Sequence, residues 1–79
     1  MADASTPVRS VKVRSIPIEL SQFIKFGGLA ASGGEAKQLV AEGSVQLNGV
    51  VETQKSKKLA VGDRVTVKGQ TLIVELGGD

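Results

Sequence analysis

From Val8 to Ile18 apolar residues fall at alternate positions: Val11 and Val13, then less regularly Ile16 and Ile18, with Lys12 and Arg14 between them. A period of two sends one set of side chains to a buried face, so this stretch predicts a half-buried strand. Pro17 has no ladder donor, which predicts an edge strand or a strand end there. The period then lengthens. Leu20, Phe23 and Ile24 recur at helical spacing with Ser21, Gln22 and Lys25 on the other side, and Gly27-Gly28 ends this short helix. Leu29 is expected to close over the core from the connecting loop.

A second helix has clearer ends. Ser32 is a natural N-cap, and Glu35 at the third helical position completes a capping box. Ala36, Leu39 and Val40 supply the buried stripe, Lys37, Gln38 and Ala41 face outward, and Gly43 suits the left-handed C-terminal position. Alternation then returns with Val45 and Leu47 on one side and Gln46 on the other. Asn48-Gly49 is a strong two-residue hairpin signal, and Val50-Val51 begins the return strand. Thr53–Lys58 reads as a loop or exposed strand end. Val61-Gly62-Asp63 is a turn, Arg64–Val67 a strand, Lys68-Gly69 another turn, and Thr71–Leu76 the last strand. Residues 1–7 predict a disordered tail, 8–76 a single domain, and 77–79 a loose end. The expected class is α+β, two short helices packed on a small antiparallel sheet.

Composition narrows the chemistry. The chain has 79 residues, enough for one core, and contains no cysteine, histidine, tryptophan or tyrosine. Disulfides, thiolate zinc sites and the commonest general base are therefore missing. No enzyme, cofactor or metal site is expected. Ten Lys and Arg against eight Asp and Glu give a net charge of only +2, so distribution matters more than the total. Lys55, Lys57 and Lys58 form one acid-free group; Arg9, Lys12 and Arg14 form another. No apolar run approaches the ~20 residues that span a bilayer, and Met1–Pro7 lacks signal-peptide order. A cytoplasmic location is expected.

The pattern LAASGGEAKQLVAE at Leu29–Glu42, followed by Gly43-Ser44-Val45-Gln46-Leu47-Asn48-Gly49 and later Val61-Gly62-Asp63-Arg64-Val65, resembles the S4 RNA-binding domain. The resemblance spans about Leu20–Val67 and rests on the order and spacing of the elements. That family commonly has Arg after the capping serine; here Gly33 and Gly34 follow Ser32, as in small stand-alone bacterial S4 proteins. Lys37 matches the family's Ala-Arg or Ala-Lys pair. The resemblance implies the S4-like (alpha-L) motif and RNA binding.

The residues themselves supply a physical basis. A helix N-terminus presents unpaired N–H groups suited to phosphate, Gly33 and Gly34 would let an RNA backbone approach, and Lys37 lies about one turn further on. Glu35 opposes them with negative charge at the same end. Gln54, Lys55, Lys57 and Lys58 would form one wall of a basic groove, with Lys25 on the other side. The expected RNA-binding set is Lys25, Ser32, Gly33, Gly34, Lys37, Gln38, Gln54, Lys55, Lys57 and Lys58. Without the resemblance, an ordinary capped helix and a solvated loop explain these residues better. Arg9, Lys12 and Arg14 read as the polar side of an edge strand. Phe23 has core spacing and Phe26 is ambiguous; with two rings in the chain, recognition by stacking bases is not expected. The expected partner is structured RNA, rRNA or tRNA-like, bound by a monomer that has no membrane or small-molecule partner. Two rivals are a β-grasp sulfur carrier using Gly77-Gly78, which Asp79 would block unless removed, and an adaptor docking through an edge strand.

Overall fold

The computed structural model describes residues 8–77; the expected tail at 1–7 and the last two residues lie outside the described residues. The elements run β1 (Val8–Val13), β2 (Ile18–Glu19), α1 (Leu20–Phe26), α2 (Gly33–Ala41), β3 (Val45–Leu47), β4 (Val50–Val51), β5 (Lys58–Leu59), β6 (Arg64–Val67) and β7 (Gln70–Leu76). Five strands form one sheet in the order β1-β7-β6-β3-β4, and β2 pairs with β5 in a separate two-stranded ribbon. Two helices on this sheet give the α+β, S4-like arrangement expected from the sequence.

The sheet is mixed, however, not wholly antiparallel. β1 runs parallel to β7, with Val8 opposite Thr71 and Val13 opposite Leu76. A parallel pair needs a crossover, and here almost the whole domain is that crossover. β1 lies at the sheet edge but ends at Val13, short of Pro17, and the chain continues to β2 through a cis Ile16-Pro17 bond. Gly77, expected to be loose, instead donates its amide to the Val13 carbonyl at 2.9 Å and extends the parallel ladder.

Alternation divides each strand between two environments. Val11, Val13, Val45, Val65, Val67, Leu72 and Val74 are buried on the face that meets Leu20, Phe23 and Ile24 of α1 and Ala36, Leu39 and Val40 of α2. On the opposite face Thr66 and Thr71 pair across β6 and β7, hydroxyl to hydroxyl at 2.9 Å. Phe23 is fully enclosed, so truncating it to alanine would cost about 3–5 kcal/mol. Leu29 packs against this core from the loop. Ser21, expected on the outer side of α1, is buried, because the chain at Lys55–Lys57 lies over the first turn of that helix.

Two turns show why their residues are where they are. Asn48 and Gly49 have φ of 53° and 86°, the left-handed pair of a two-residue hairpin. Asn48 also bonds beyond its own hairpin: its Oδ1 accepts from the Arg64 amide at 3.0 Å, and its backbone amide donates to the Arg64 carbonyl at 2.7 Å. Gly27, the C-cap of α1, sits where a Cβ would lie 2.3 Å from Leu72 Cδ1. Any side chain there would have to displace the buried Leu72. Among the described residues, no helix is long and apolar enough to cross a membrane.

Candidate nucleic-acid interface

The lysine-bearing segment is held by its backbone. The first two amides of α1, those of Leu20 and Ser21, donate to the carbonyls of Lys57 and Lys55 at 2.8 and 3.2 Å. A turn between Gln54 and Lys57, closed at 3.1 Å, keeps the segment compact, and β5 then pairs Lys58 with Glu19. The helix end that would otherwise leave its donors unpaired is thus capped by the loop. With its carbonyls turned to the helix, the segment leaves the side chains of Gln54, Lys55, Lys57 and Lys58 exposed. Lys58 Nζ lies 3.8 Å from Glu19 Oε2, the one ion pair among the described residues. Lys25, Lys37, Lys55 and Lys57 therefore have no carboxylate within 4.0 Å among those residues.

α2 begins as its sequence dictates. Ser32 Oγ accepts from the Glu35 amide at 3.2 Å. The reciprocal bond differs by one residue from a capping box: Glu35 Oε1 accepts from the Ala31 amide at 2.6 Å, not from Ser32. That bond engages the carboxylate which would oppose an anion at this end. The Gly33 and Gly34 amides have no protein acceptor among the described residues. A Cβ on Gly33 would meet nothing within 4 Å, and one on Gly34 only Ser32 Oγ at 3.9 Å. Neither glycine has a positive φ. Glycine in a helix costs about 0.5–1 kcal/mol relative to alanine, and nothing inside this protein requires it at either position.

At ~100° per residue, α2 divides its exposed surface. Lys37 falls on one flank with Gly33, whereas Glu35, Gln38 and Glu42 fall on the other. Gln38 accordingly lines a shallow groove with Glu35, Glu42 and Lys68 of the β6–β7 turn, apart from Lys37. Lys25 lies in the last turn of α1, beside a groove formed with Ile18, Gln22 and Phe26. The two helices pack on each other, so α1 links the two parts of the predicted set. The lysine segment caps its start, Lys25 rises from its end, and the loop after Gly28 leads to Ser32.

Arg9 is not on the polar side of β1: it shares the parity of Val11 and Val13 and so lies on the helix-facing side of the strand. Its guanidinium donates to the carbonyl of Gly27, placing positive charge at the C-terminal end of α1. It thereby ties the edge strand to the helix. The sequence signal was a basic residue on the strand that precedes a helix ending in Gly-Gly, too general to have found it. No group of three or more His, Cys, Asp or Glu side chains able to hold a metal ion occurs among the described residues.

Comparison with known proteins agrees with this architecture. The family model described as the S4 domain matches residues 11–75. The putative RNA-binding protein YbcJ of Escherichia coli K12 is 39% identical over 57 residues, covering 72% of this chain and 81% of that protein. The probable ribosome maturation protein RlbA of Bacillus subtilis is 38% identical over 52 residues, covering 66% and 73% of the two chains. The solution structure of Escherichia coli YbcJ, reported to reveal an alpha-L motif involved in RNA binding, matches with a TM-score of 0.62 and 33% identity, over 89% of this chain and 87% of that one. A sulfur-carrier role gains no support from these relatives. With the family model spanning nearly all of the described fold, the chain belongs to the S4 domain family.

Proposed function

We propose that this protein binds structured RNA through one face, formed by the lysine segment, Lys25 and the N-terminal turn of α2. The observation that carries the reading is the docking of Lys55 and Lys57 on the first turn of α1, which fixes two unpaired cations on the helix pair. The RNA-binding description of the YbcJ relatives supports the partner class. The name of the Bacillus relative favours ribosomal RNA over tRNA-like RNA. Shape and phosphate contacts suit such a face, since A-form grooves present mainly backbone and 2′-hydroxyls. The protein acts as a cytoplasmic monomer without catalysis. Within the predicted set, Gln38 is the least suited, because it shares its flank with Glu35 and Glu42.

The test is a titration with a fluorescent RNA hairpin across a salt series. If Lys25, Lys37, Lys55 and Lys57 each neutralise one phosphate, log K falls against log salt with a slope of about −3.6. Affinity then drops roughly 150-fold between about 50 and 200 mM salt. Changing Lys37, Lys55 and Lys57 to glutamate and Lys58 to glutamine removes binding. Lys58 is made neutral to avoid setting a second carboxylate beside Glu19. Because all four positions are exposed, each changes stability by no more than about 0.5 kcal/mol. Undiminished binding by the folded variant rejects this face.

A further inference from the structure

Phe26 is one of two aromatic residues in the chain, and it is 60% exposed while Phe23 is wholly buried. A lone exposed apolar side chain needs no explanation. Phe26, however, lines two adjoining grooves, one with Pro17, Ile18, Gln22 and Arg14 and the other with Ile18, Gln22 and Lys25. The first has a volume of about 280 Å³. Both are lined by Ile18, Gln22 and Phe26, so the two grooves meet at one largely apolar surface that includes the phenyl ring. Cations flank it on each side and no carboxylate lines either part. The nearest acid in sequence, Glu19, is paired with Lys58. Gln22 accepts from the Glu19 amide through Oε1 at 3.2 Å, leaving its amide donors without a partner among the described residues.

We propose that this groove receives one unpaired base of the bound RNA, stacked on Phe26, with Arg14 and Lys25 holding the flanking phosphates. This inference rests on the RNA-binding reading above and adds an element that shape and phosphate contacts lack: the ability to distinguish a bulged or looped nucleotide from a continuous duplex. A base presents an apolar face and a polar edge on an anionic strand. The groove presents an aromatic face, a free amide donor and two cations. Base–aromatic stacking depends little on base identity, so the groove recognises unpaired structure and not sequence. Lys25 belongs to both surfaces, which places the unpaired nucleotide at the border of the face that holds the helical part of the RNA.

The experiment compares two synthetic RNA hairpins, identical except that one stem carries a single unpaired adenosine. Binding is measured at low salt for the wild-type chain and for Phe26→Ala and Phe26→Tyr. Wild type should prefer the bulged hairpin by roughly five- to 150-fold, the range for one stacked base. Phe26→Ala should lose that preference while keeping its affinity for the paired hairpin; Phe26→Tyr should retain both. NMR gives a direct readout, because only two aromatic side chains contribute to the protein's spectrum. The Phe26 ring signals should move upfield and show contacts to the adenine protons with the bulged RNA alone. Equal wild-type affinity for both hairpins, with unmoved Phe26 signals, overturns the stacking inference, leaves the RNA reading intact and frees the groove for a protein partner. Equal weakening of both RNAs by Phe26→Ala also overturns it, because the ring would then be a general contact. Failure of the wild type to bind either hairpin defeats the RNA reading and this inference with it.

Discussion

Replacing Gly33 and Gly34 by alanine separates what the fold needs from what a ligand needs. Both residues lie in the first turn of α2 with ordinary negative φ, and the space where each Cβ would stand is open. Alanine at such a position stabilises by about 0.4–1 kcal/mol, chiefly by restricting the unfolded chain. The double variant should gain about 1–2 kcal/mol, and each kcal/mol raises the melting temperature of a domain this size by about 4–8 °C. RNA binding should move the other way. The two unpaired amides belong to these same residues, and side chains added there narrow the approach of a phosphate to the helix end. Losing one hydrogen bond to a charged group costs about 1.5–3 kcal/mol, roughly 10- to 150-fold in affinity. Thermal melting by circular dichroism and titration of the labelled hairpin on the same preparation give both numbers. A stabilised variant that binds as tightly as wild type would refute a role for the glycines in ligand approach. A destabilised variant would contradict the open space seen around them.

Asn48→Gly keeps the left-handed turn but loses the side-chain bond to Arg64, and should destabilise by about 0.5–1.5 kcal/mol in urea unfolding. Asn48→Ala adds the left-handed penalty of about 1–2 kcal/mol, and a smaller loss for alanine than for glycine would contradict this account. Gly27→Ala places a methyl against Leu72, which is fully buried and cannot move aside freely, so a loss of about 1–3 kcal/mol is expected by the same assay. Glu19→Gln removes the ion pair with Lys58 and the negative charge at the N-cap of α1, where the Glu19 side chain also accepts from the Gln22 amide, and should destabilise by about 1 kcal/mol, less at high salt.

Local chemistry was readable from the chain; long-range pairing was not. Ser32 and Glu35 announced α2, and Asn48-Gly49 announced a hairpin, because each signal acts within a few residues. The parallel partnership of β1 with β7 joins residues some sixty apart, and alternation reports only that a strand has a buried face, not which strand lies beside it. Ser21 was misplaced for a related reason: helical spacing places it away from Leu20, Phe23 and Ile24, but the segment at Lys55–Lys57 supplies a second buried surface. Alternation sets Arg9 on the face of Val11 and Val13, toward the helices, but does not fix which backbone group it meets there, the Gly27 carbonyl eighteen residues away. For the site, the charge run at Lys55–Lys58 was visible, whereas its attachment to α1 arises from backbone bonds that side-chain identity does not encode. The separation of Gln38 from Lys37 follows from helix geometry alone and was legible in principle. The exposure of Phe26 was not, since its position at the edge of the apolar stripe fits either environment.

The most direct test follows the backbone amides by NMR as an RNA hairpin is added. The account predicts that perturbations concentrate at Lys25, at Ser32–Lys37 and at Gln54–Lys58, and fade together as salt rises. Signals that move instead around β4 and the β6–β7 turn, with those segments unaffected, would contradict it.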